Sequence, residues 1–227
     1  QDCSKSIKRV AFEKNEAGEE IGVMQVEAGV KMSYLAKYAA RYGLTGIEGL
    51  AGIPGSLGGA LVMNAGAEGT EIGHVVRSIT RVTQGGTIQK LDKSDVKFGY
   101  RKTVFPPGGG IIVEAEIELR TGDRIAIQET IDRHLSKRSA TQPLNLPNSG
   151  SVFKNPAGDT AGRIIESLDL KGFQIGDAAI SLKHANFIVN KGDASAEDVL
   201  KLIKHVQETV KEKTGINLER EILVVGK

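Results

Sequence analysis

The sequence has no tryptophan, and aromatic residues make up only 4% of its 227 residues. Stacking platforms for single-stranded nucleic acid are therefore poorly supplied. The 30 lysines and arginines nearly balance the 28 aspartates and glutamates, so a net charge of +2 gives no general attraction for nucleic acid or acidic lipid. The single cysteine, Cys3, can form neither an internal disulfide nor a cysteine-rich zinc site.

Long apolar runs are also missing, because the longest fall far short of the ~20 residues that a membrane-spanning helix needs. The four histidines share no ligand spacing, so the sequence predicts no metal site. Apolar residues (40%) and charged residues (26%) occur at ordinary globular levels, which predicts a folded chain. Glycine is the residue in excess, with 28 copies, which indicates many tight turns or close backbone approaches.

Hydrophobic periodicity predicts strands before about residue 120 and mainly helices after it, which favours the α+β class. The break at Thr121-Gly122 predicts two domains, residues 1–121 and 122–227. The strands are predicted over residues 7–12, 22–28, 75–82, 86–91 and 111–119, and a last strand over 221–225.

Two helix starts are predicted from capping residues. Ser33 is the predicted cap of a helix that Gly43 ends. Ser195 and Asp198 form a predicted capping box before a helix with Val199, Ile203, Val206 and Val210 on one face.

The segment from Gly46 to Gly69, GIEGLAGIPGSLGGALVMNAGAEG, is the most unusual part of the chain. It has no lysine or arginine, so it is not a P-loop, and it also lacks the G-x-G-x-x-G dinucleotide motif. Its bare backbone could lie against a pyrophosphate or a flat ring system. Tight packing of small residues between layers explains the same composition, and the residues alone leave both interpretations open.

Three further positions each have a functional and an ordinary interpretation. Arg101, after Tyr100, offers a permanent cation for a carboxylate or an enolate, or it is a surface arginine after a turn. Ser151, in NSGSVFKNP, is a nucleophile or proton donor, or a turn hydroxyl. Glu221 is an inward acid or a solvent-facing residue of an edge strand. The cluster of Arg133, Lys137 and Arg138 on one predicted helix is a solvated face or a phosphate contact.

Six ordered motifs together resemble one family. GIPGSLGGALVMNAGAEG, FGYRKT, NSGSVFKNP, AGRIIES, HANFIVN and LEREILVVG are similar to the motifs of the UDP-N-acetylenolpyruvoylglucosamine reductases, the MurB family. The resemblance implies the second lobe of an FAD-binding domain of the PCMH or vanillyl-alcohol-oxidase type, followed by a smaller α+β substrate domain. It implies a UDP-N-acetylmuramate dehydrogenase, a cytoplasmic bacterial flavoprotein of peptidoglycan synthesis, which serves cell-wall biogenesis, cell shape and cell division. The enzyme would reduce UDP-N-acetylglucosamine enolpyruvate with NADPH as hydride donor.

The resemblance also implies roles for individual residues. Arg101 would polarise the substrate carboxylate and stabilise the enolate, Ser151 would return a proton to the enolate carbon, and Glu221 would assist Arg101. Tyr100 and Asn155 would contact substrate, Asn155 near its diphosphate. The residues expected along FAD belong to the glycine-rich segment: Ile53, Pro54, Gly55, Ser56, Gly59, Asn64 and Gly66.

Two departures from the family pattern are visible. Relatives carry an N-terminal lobe with a glycine-serine-asparagine loop for the FAD pyrophosphate, and this sequence starts at Gln1. Relatives also often have a lysine just before the Gln-Pro that precedes the serine, where this chain has Thr141. The C-terminal half has no extended tyrosine-bearing loop, so the chain resembles the shorter subtype of the family, and we expect a monomer. The alternatives are a module that binds UDP-sugar without FAD and a different flavoenzyme, such as a small-alcohol or sugar oxidase.

Overall fold

The computed structural model describes residues 5–226, so Cys3 lies outside the described residues. The chain divides into two compact units, Gln1–Ser136 and Lys137–Lys227. The division falls later than the break at Thr121, because Ile127 and Ile131 belong to the hydrophobic core of the first unit.

The first unit is built on a six-stranded antiparallel sheet. Its strands are β1 (Ile7–Lys14), β2 (Glu20–Glu27), β3 (Leu44–Thr45), β6 (Val76–Val82), β7 (Ile88–Asp92) and β10 (Ile111–Thr121). They lie in the order β1-β2-β10-β6-β7, and β3 also pairs with β10. Two small hairpins lie outside this sheet: β4 (Gly66–Ala67) with β5 (Thr70–Glu71), and β8 (Lys97–Gly99) with β9 (Lys102–Val104). The five predicted early strands are confirmed, since alternating apolar residues such as Met24, Val26, Ala115 and Ile117 are buried on one face of the sheet.

Helices cover the buried side of this sheet and contribute to one core. They are α1 (Met32–Arg41), α2 (Leu57–Met63), α3 (Ile72–Val75) and α4 (Arg124–Thr141), with short 3₁₀ turns at Glu48–Leu50 and Lys93–Asp95. The prediction that Ser33 caps α1 is wrong, because Lys31 is the N-cap and makes no side-chain cap bond. Gly43 does follow the helix in the left-handed conformation (φ 68°), as predicted.

The second unit is a four-stranded antiparallel sheet packed against two helices. Its elements are β11 (Asn148–Ser151), α5 (Ala161–Ser167), β12 (Gln174–Ile175), β13 (Ala178–Ile180), β14 (Phe187–Asn190) and α6 (Ala196–Thr214). The strand order is β11-β14-β13-β12. The predicted Ser195–Asp198 capping box is confirmed at the start of α6. Sheets with segregated helices in both units confirm the α+β class.

The prediction of a last strand over residues 221–225 is wrong. Glu221 N–H donates to the carbonyl of Val152 (2.8 Å), and Arg220 forms an isolated bridge with Phe153. Among the described residues no ladder continues beyond this point, and Leu223 and Val225 are 74% and 88% exposed. The alternating pattern is compatible with a strand, but a strand forms only where a second backbone pairs with it.

Candidate functional site

The glycine-rich segment folds into a loop, helix α2 and the β4–β5 hairpin. Ser56 is the N-cap of α2, and its hydroxyl accepts the N–H of Gly59 at 3.5 Å. Asn64 ends the helix in the left-handed conformation (φ 44°). The sequence did not reveal α2, because Gly58 and Gly59 lower helix propensity and only burial of Leu57 and Leu61 compensates for them.

Packing explains some of these glycines. A Cβ at Gly49 would lie 2.7 Å from the carbonyl oxygen of Ala67, and one at Gly58 would lie 3.1 Å from the Cβ of Ala28. Gly59 is different, because an added Cβ would meet only the hydroxyl of Ser56 at 3.9 Å. Gly55 has open space and a φ of 114°, so its conformation and not its surroundings favours glycine.

The residues expected along FAD differ from one another in their exposure. Pro54, Gly55 and Gly59 are exposed, and Ile53 and Ser56 are partly exposed, at the start of α2. The exposed backbone around Gly55 and Gly59 leaves room for a flat or phosphate-bearing group, so this surface fits part of FAD. Asn64 is fully buried (0% exposed) and Gly66 lies in β4.

Arg101 and Tyr100 form the two-residue turn of the β8–β9 hairpin. Arg101 adopts the left-handed conformation (φ 52°), which a non-glycine residue rarely adopts. Its guanidinium lies over the Tyr100 ring, with Cζ 4.9 Å from the centroid. An added Cβ on Gly66 would lie 3.0 Å from Arg101 Nη1, so Gly66 makes room for this side chain. A strained arginine beside an exposed phenol is typical of a functional position.

Ser151 ends β11 directly after Gly150, whose φ is 81°. The turn before it is held by Asn148, which accepts the N–H of Gly150 (2.9 Å) and donates to the carbonyls of Pro143 and Leu146. The hydroxyl of Ser151 is half-buried and has no hydrogen-bond partner within residues 5–226. This leaves the hydroxyl available to an incoming molecule.

Asn186 holds the chain on the other side of Ser151, and the sequence interpretation assigned it no role. Its backbone carbonyl accepts the N–H of Val152 (2.9 Å). Its side-chain amide accepts the N–H of Phe153 (2.9 Å) and donates to the Phe153 carbonyl (2.8 Å). Asn186 is buried (4% exposed), so these bonds fix the segment that follows Ser151. Its position in HANFIVN is the only signal that could have suggested it.

Glu221 and Asn155 both follow this segment in the chain. Glu221 is half-buried, and its N–H bonds to Val152, next to Ser151 in the chain. Asn155 is exposed, and its Oδ1 accepts the N–H of Ala161, the first residue of α5. Lys154 pairs with Glu219, with Nζ and Oε1 2.5 Å apart.

Two ionisable groups in the second unit are perturbed by burial. Burial lowers the pKa of His184, whose Nδ1 accepts the N–H of Asn186 at 3.3 Å. Burial also lowers the pKa of Arg138. Within the part of the chain that the structure describes, the Arg138 guanidinium has neither an ion-pair nor a hydrogen-bond partner. Desolvating an arginine without a counter-ion is unfavourable, which makes Arg138 a candidate anion contact.

A cavity of about 260 Å³ lies next to the Ser149–Ser151 turn. Its lining residues are Pro147, Asn148, Ser149, Val152, Ile188, Asn190, Val199 and Ile222. Residues 5–226 contain no cluster of three or more metal-ligating side chains. No helix in that range is long and apolar enough to cross a membrane.

The structure therefore divides the predicted site residues between the two units. Tyr100, Arg101, Asn64 and Gly66 are neighbours in the first unit. In the second unit, Glu221 is bonded to the residue that follows Ser151.

Comparisons with known proteins agree with the two-part organisation. A family model for an FAD binding domain matches residues 7–92, and a model for the C-terminal domain of UDP-N-acetylenolpyruvoylglucosamine reductase matches residues 142–225. The fold is therefore an FAD-binding domain followed by the C-terminal domain of this reductase.

Similar whole proteins point the same way. A reductase of this name from Symbiobacterium thermophilum is 45% identical over 89% of the chain, which spans 66% of that protein. One from Clostridium perfringens is 40% identical over 96% of the chain, which spans 72% of it. The crystal structure of the reductase (MurB) from Thermus caldophilus matches with a TM-score of 0.77 at 38% identity, over 87% of this chain and 70% of that one. The chain belongs to the UDP-N-acetylenolpyruvoylglucosamine reductase family.

Proposed function

We propose that this protein reduces the enolpyruvyl ether of UDP-N-acetylglucosamine to UDP-N-acetylmuramate, with FAD as cofactor and NADPH as hydride donor. Members of its family are FAD-dependent oxidoreductases. The first unit would bind FAD and the second would bind the UDP-sugar, in the cytoplasm of a bacterium and as a monomer. The observation that carries the proposal is the half-buried Ser151 hydroxyl, fixed between the Asn148 turn and the Asn186 bonds and without a partner among residues 5–226.

Arg101 would act on the carboxylate of the substrate. Hydride addition to the β-carbon of an unsaturated acid leaves negative charge on the α-carbon and the carboxylate. A permanent cation stabilises that growing charge more strongly than it stabilises the substrate, which is the condition for catalysis. The rigid hairpin turn keeps the guanidinium oriented before substrate arrives, and the Tyr100 ring below it limits its rotamers.

Ser151 would give its proton to the α-carbon. Serine is a weak acid, but the enolate carbon is a strong base, so a correctly placed hydroxyl suffices. Gly150 is bonded to Asn148 within the turn and Val152 is bonded to Asn186, which together limit the movement of the Ser151 hydroxyl. Glu221, bonded through its N–H to Val152, would be the third catalytic group.

FAD, when bound, supplies the hydride and accepts one from NADPH. The residues of this chain would bind it along the exposed backbone at the start of α2. Ile53, Pro54 and Gly55 offer a surface with little side-chain bulk, and Gly59 continues it on the first turn of the helix.

The diphosphate of the substrate needs cations or N–H donors. Asn155 is exposed and is oriented by the bond from the Ala161 N–H to its Oδ1, so its amide would contact substrate near the diphosphate. Arg138 supplies a guanidinium that has no protein counter-ion within residues 5–226. Relatives often have a lysine where this chain has Thr141. We propose that Arg138 supplies the cation that contacts the diphosphate here instead.

The experiment is a comparison of the two half-reactions in Ser151→Ala. Bleaching of bound flavin by NADPH is expected to stay within about twofold of wild type, while recovery with the enolpyruvyl substrate slows by ~10²-fold or more, the usual effect of losing a general acid. Ser149→Ala is the matched control, because it changes an exposed hydroxyl in the same turn. Equal slowing of both half-reactions, or no slowing, would contradict the assignment of Ser151.

A further inference from the structure

Asn64 combines two unusual properties. It is fully buried (0% exposed), although asparagine is usually exposed, and its backbone is in the left-handed conformation (φ 44°). A buried polar side chain is stable only when its polar atoms are bonded, so its partners indicate what it holds.

The side-chain amide of Asn64 joins three separate pieces of the first unit. Its Nδ2 donates to Glu71 Oε2 (2.7 Å) and to the carbonyl of Gly99 (2.9 Å). Its Oδ1 accepts the N–H of Gly73 (3.0 Å). Both donors of the amide are therefore used inside the protein.

The bond from Asn64 to Gly99 reaches the hairpin that carries Tyr100 and Arg101. Gly99 directly precedes Tyr100 and Arg101 at the turn of the β8–β9 hairpin. The other strand of that hairpin is held by Thr103, whose hydroxyl donates to the carbonyl of Leu61 at 2.5 Å. Helix α2 thus holds the hairpin at two points, one on each side of the strained Arg101.

The neighbours of Asn64 leave its amide little freedom. A Cβ at Gly73 would lie 2.6 Å from Phe98 Cγ and 2.8 Å from Asn64 Oδ1, so the backbone is pressed against both side chains. Glu71 also accepts the backbone N–H of His74, which fixes its carboxylate on the far side of the amide. The amide is therefore confined by α3, β5 and the hairpin together.

We propose that Asn64 is a positioning residue that acts through Arg101. It holds the Tyr100–Arg101 turn, in which Arg101 is left-handed, by bonding Gly99 to the end of α2. The inference rests on the proposed function for the role of Arg101, but the structural coupling between Asn64 and the turn can be measured on its own.

The experiment compares Asn64→Gly and Asn64→Asp with Asp169→Gly. Glycine accepts the left-handed backbone, so Asn64→Gly removes the amide without adding backbone strain. Asn64→Asp keeps the shape and removes both donors. Asp169 has the same type of backbone (φ 56°) and an exposed side chain in the second unit, so Asp169→Gly controls for the substitution itself.

The first readout is limited trypsin digestion of the purified chain, with mass spectrometry of the peptide bond after Arg101. Both variants lose the bond from Asn64 to Gly99 that anchors the hairpin and leave a buried carbonyl unpaired, so local opening and cleavage after Arg101 should increase about tenfold or more relative to cleavage after Lys14. Asp169→Gly should leave that ratio unchanged. A ratio within about twofold of wild type in both Asn64 variants would overturn the proposal.

The second readout separates positioning from general stability. With FAD added, both Asn64 variants should slow flavin reoxidation by the enolpyruvyl substrate about tenfold or more while NADPH bleaching stays within about twofold. Equal slowing of the two half-reactions would overturn the positioning role. If the wild-type flavin is not reoxidised by this substrate, the proposed function fails, and the digestion result still decides whether Asn64 holds the turn.

Discussion

Replacing Asn186 should destabilise the second unit by an amount that follows from its contacts. Asn186→Ala removes the acceptor for the Phe153 N–H and the donor to the Phe153 carbonyl, and Phe153 is only 2% exposed. Each buried backbone group left unpaired costs about 1–3 kcal/mol, so the sum is about 2–6 kcal/mol. We expect about 3 kcal/mol, because water can enter the space that the amide leaves.

The assay is urea unfolding of the full chain, followed by a signal from the second unit. With a slope of about 1.5 kcal/mol/M, a loss of 3 kcal/mol lowers the midpoint by about 2 M. Asn186→Asp should lose a similar amount, because it keeps the acceptor but leaves the Phe153 carbonyl without a donor and buries a carboxylate beside it. Asn217→Ala changes an exposed asparagine and is the control. An Asn186→Ala variant within about 0.5 kcal/mol of this control would refute the reasoning.

Gly59→Ala should stabilise the flavin-free chain by about 0.5–1 kcal/mol, because alanine has the higher helix propensity and the added methyl group has room. The same methyl group should weaken FAD binding about tenfold or more. Gly58→Ala should destabilise the chain by about 1 kcal/mol, because its methyl group would press against Ala28. Burial lowers the pKa of His184, so unfolding exposes a ring that binds a proton more readily. The contribution of the neutral His184 ring to the free energy of unfolding is complete above about pH 6.5 and is lost as the pH falls through the folded pKa. In urea titrations, the free energy of unfolding of His184→Gln should therefore fall less over this pH range than that of the wild type. Arg138→Gln should weaken UDP binding about tenfold or more in calorimetry, and Arg133→Gln, on the exposed part of the same helix, should not.

Each of these three expectations has a contrary result. Unchanged FAD affinity in Gly59→Ala would mean that this helix face does not contact FAD. An identical pH dependence in wild type and His184→Gln would mean that the ring is not the titrating group. If the Arg138 and Arg133 variants lose the same affinity for UDP, the effect is a general one of net charge.

The sequence predicted those elements whose cause is local. The early strands alternate over several residues, and the Ser195–Asp198 box lies within one turn of helix α6, so both follow from short-range patterns. The family motifs identified the candidate site residues, because those motifs are contiguous in the chain.

Features that depend on distant partners could not be predicted from the residues. Asn186 bonds a segment 33 residues away, and Asn64 bonds Gly99 35 residues away. Ser33 has the right composition for a cap, but the bridge between Lys31 and Ser56 starts α1 earlier. The strand predicted from Glu221 onwards is missing for the same reason, since its alternation does not supply a pairing partner.

The most direct test of the proposed function is a visible absorption spectrum of the purified chain with added FAD. We expect bound flavin that bleaches with NADPH under anaerobic conditions and recovers its absorption when UDP-N-acetylglucosamine enolpyruvate is added. Flavin that recovers with oxygen but not with this substrate would indicate a different flavoenzyme. A chain that binds UDP but takes up no FAD would contradict the proposal in favour of a module that binds only the nucleotide sugar.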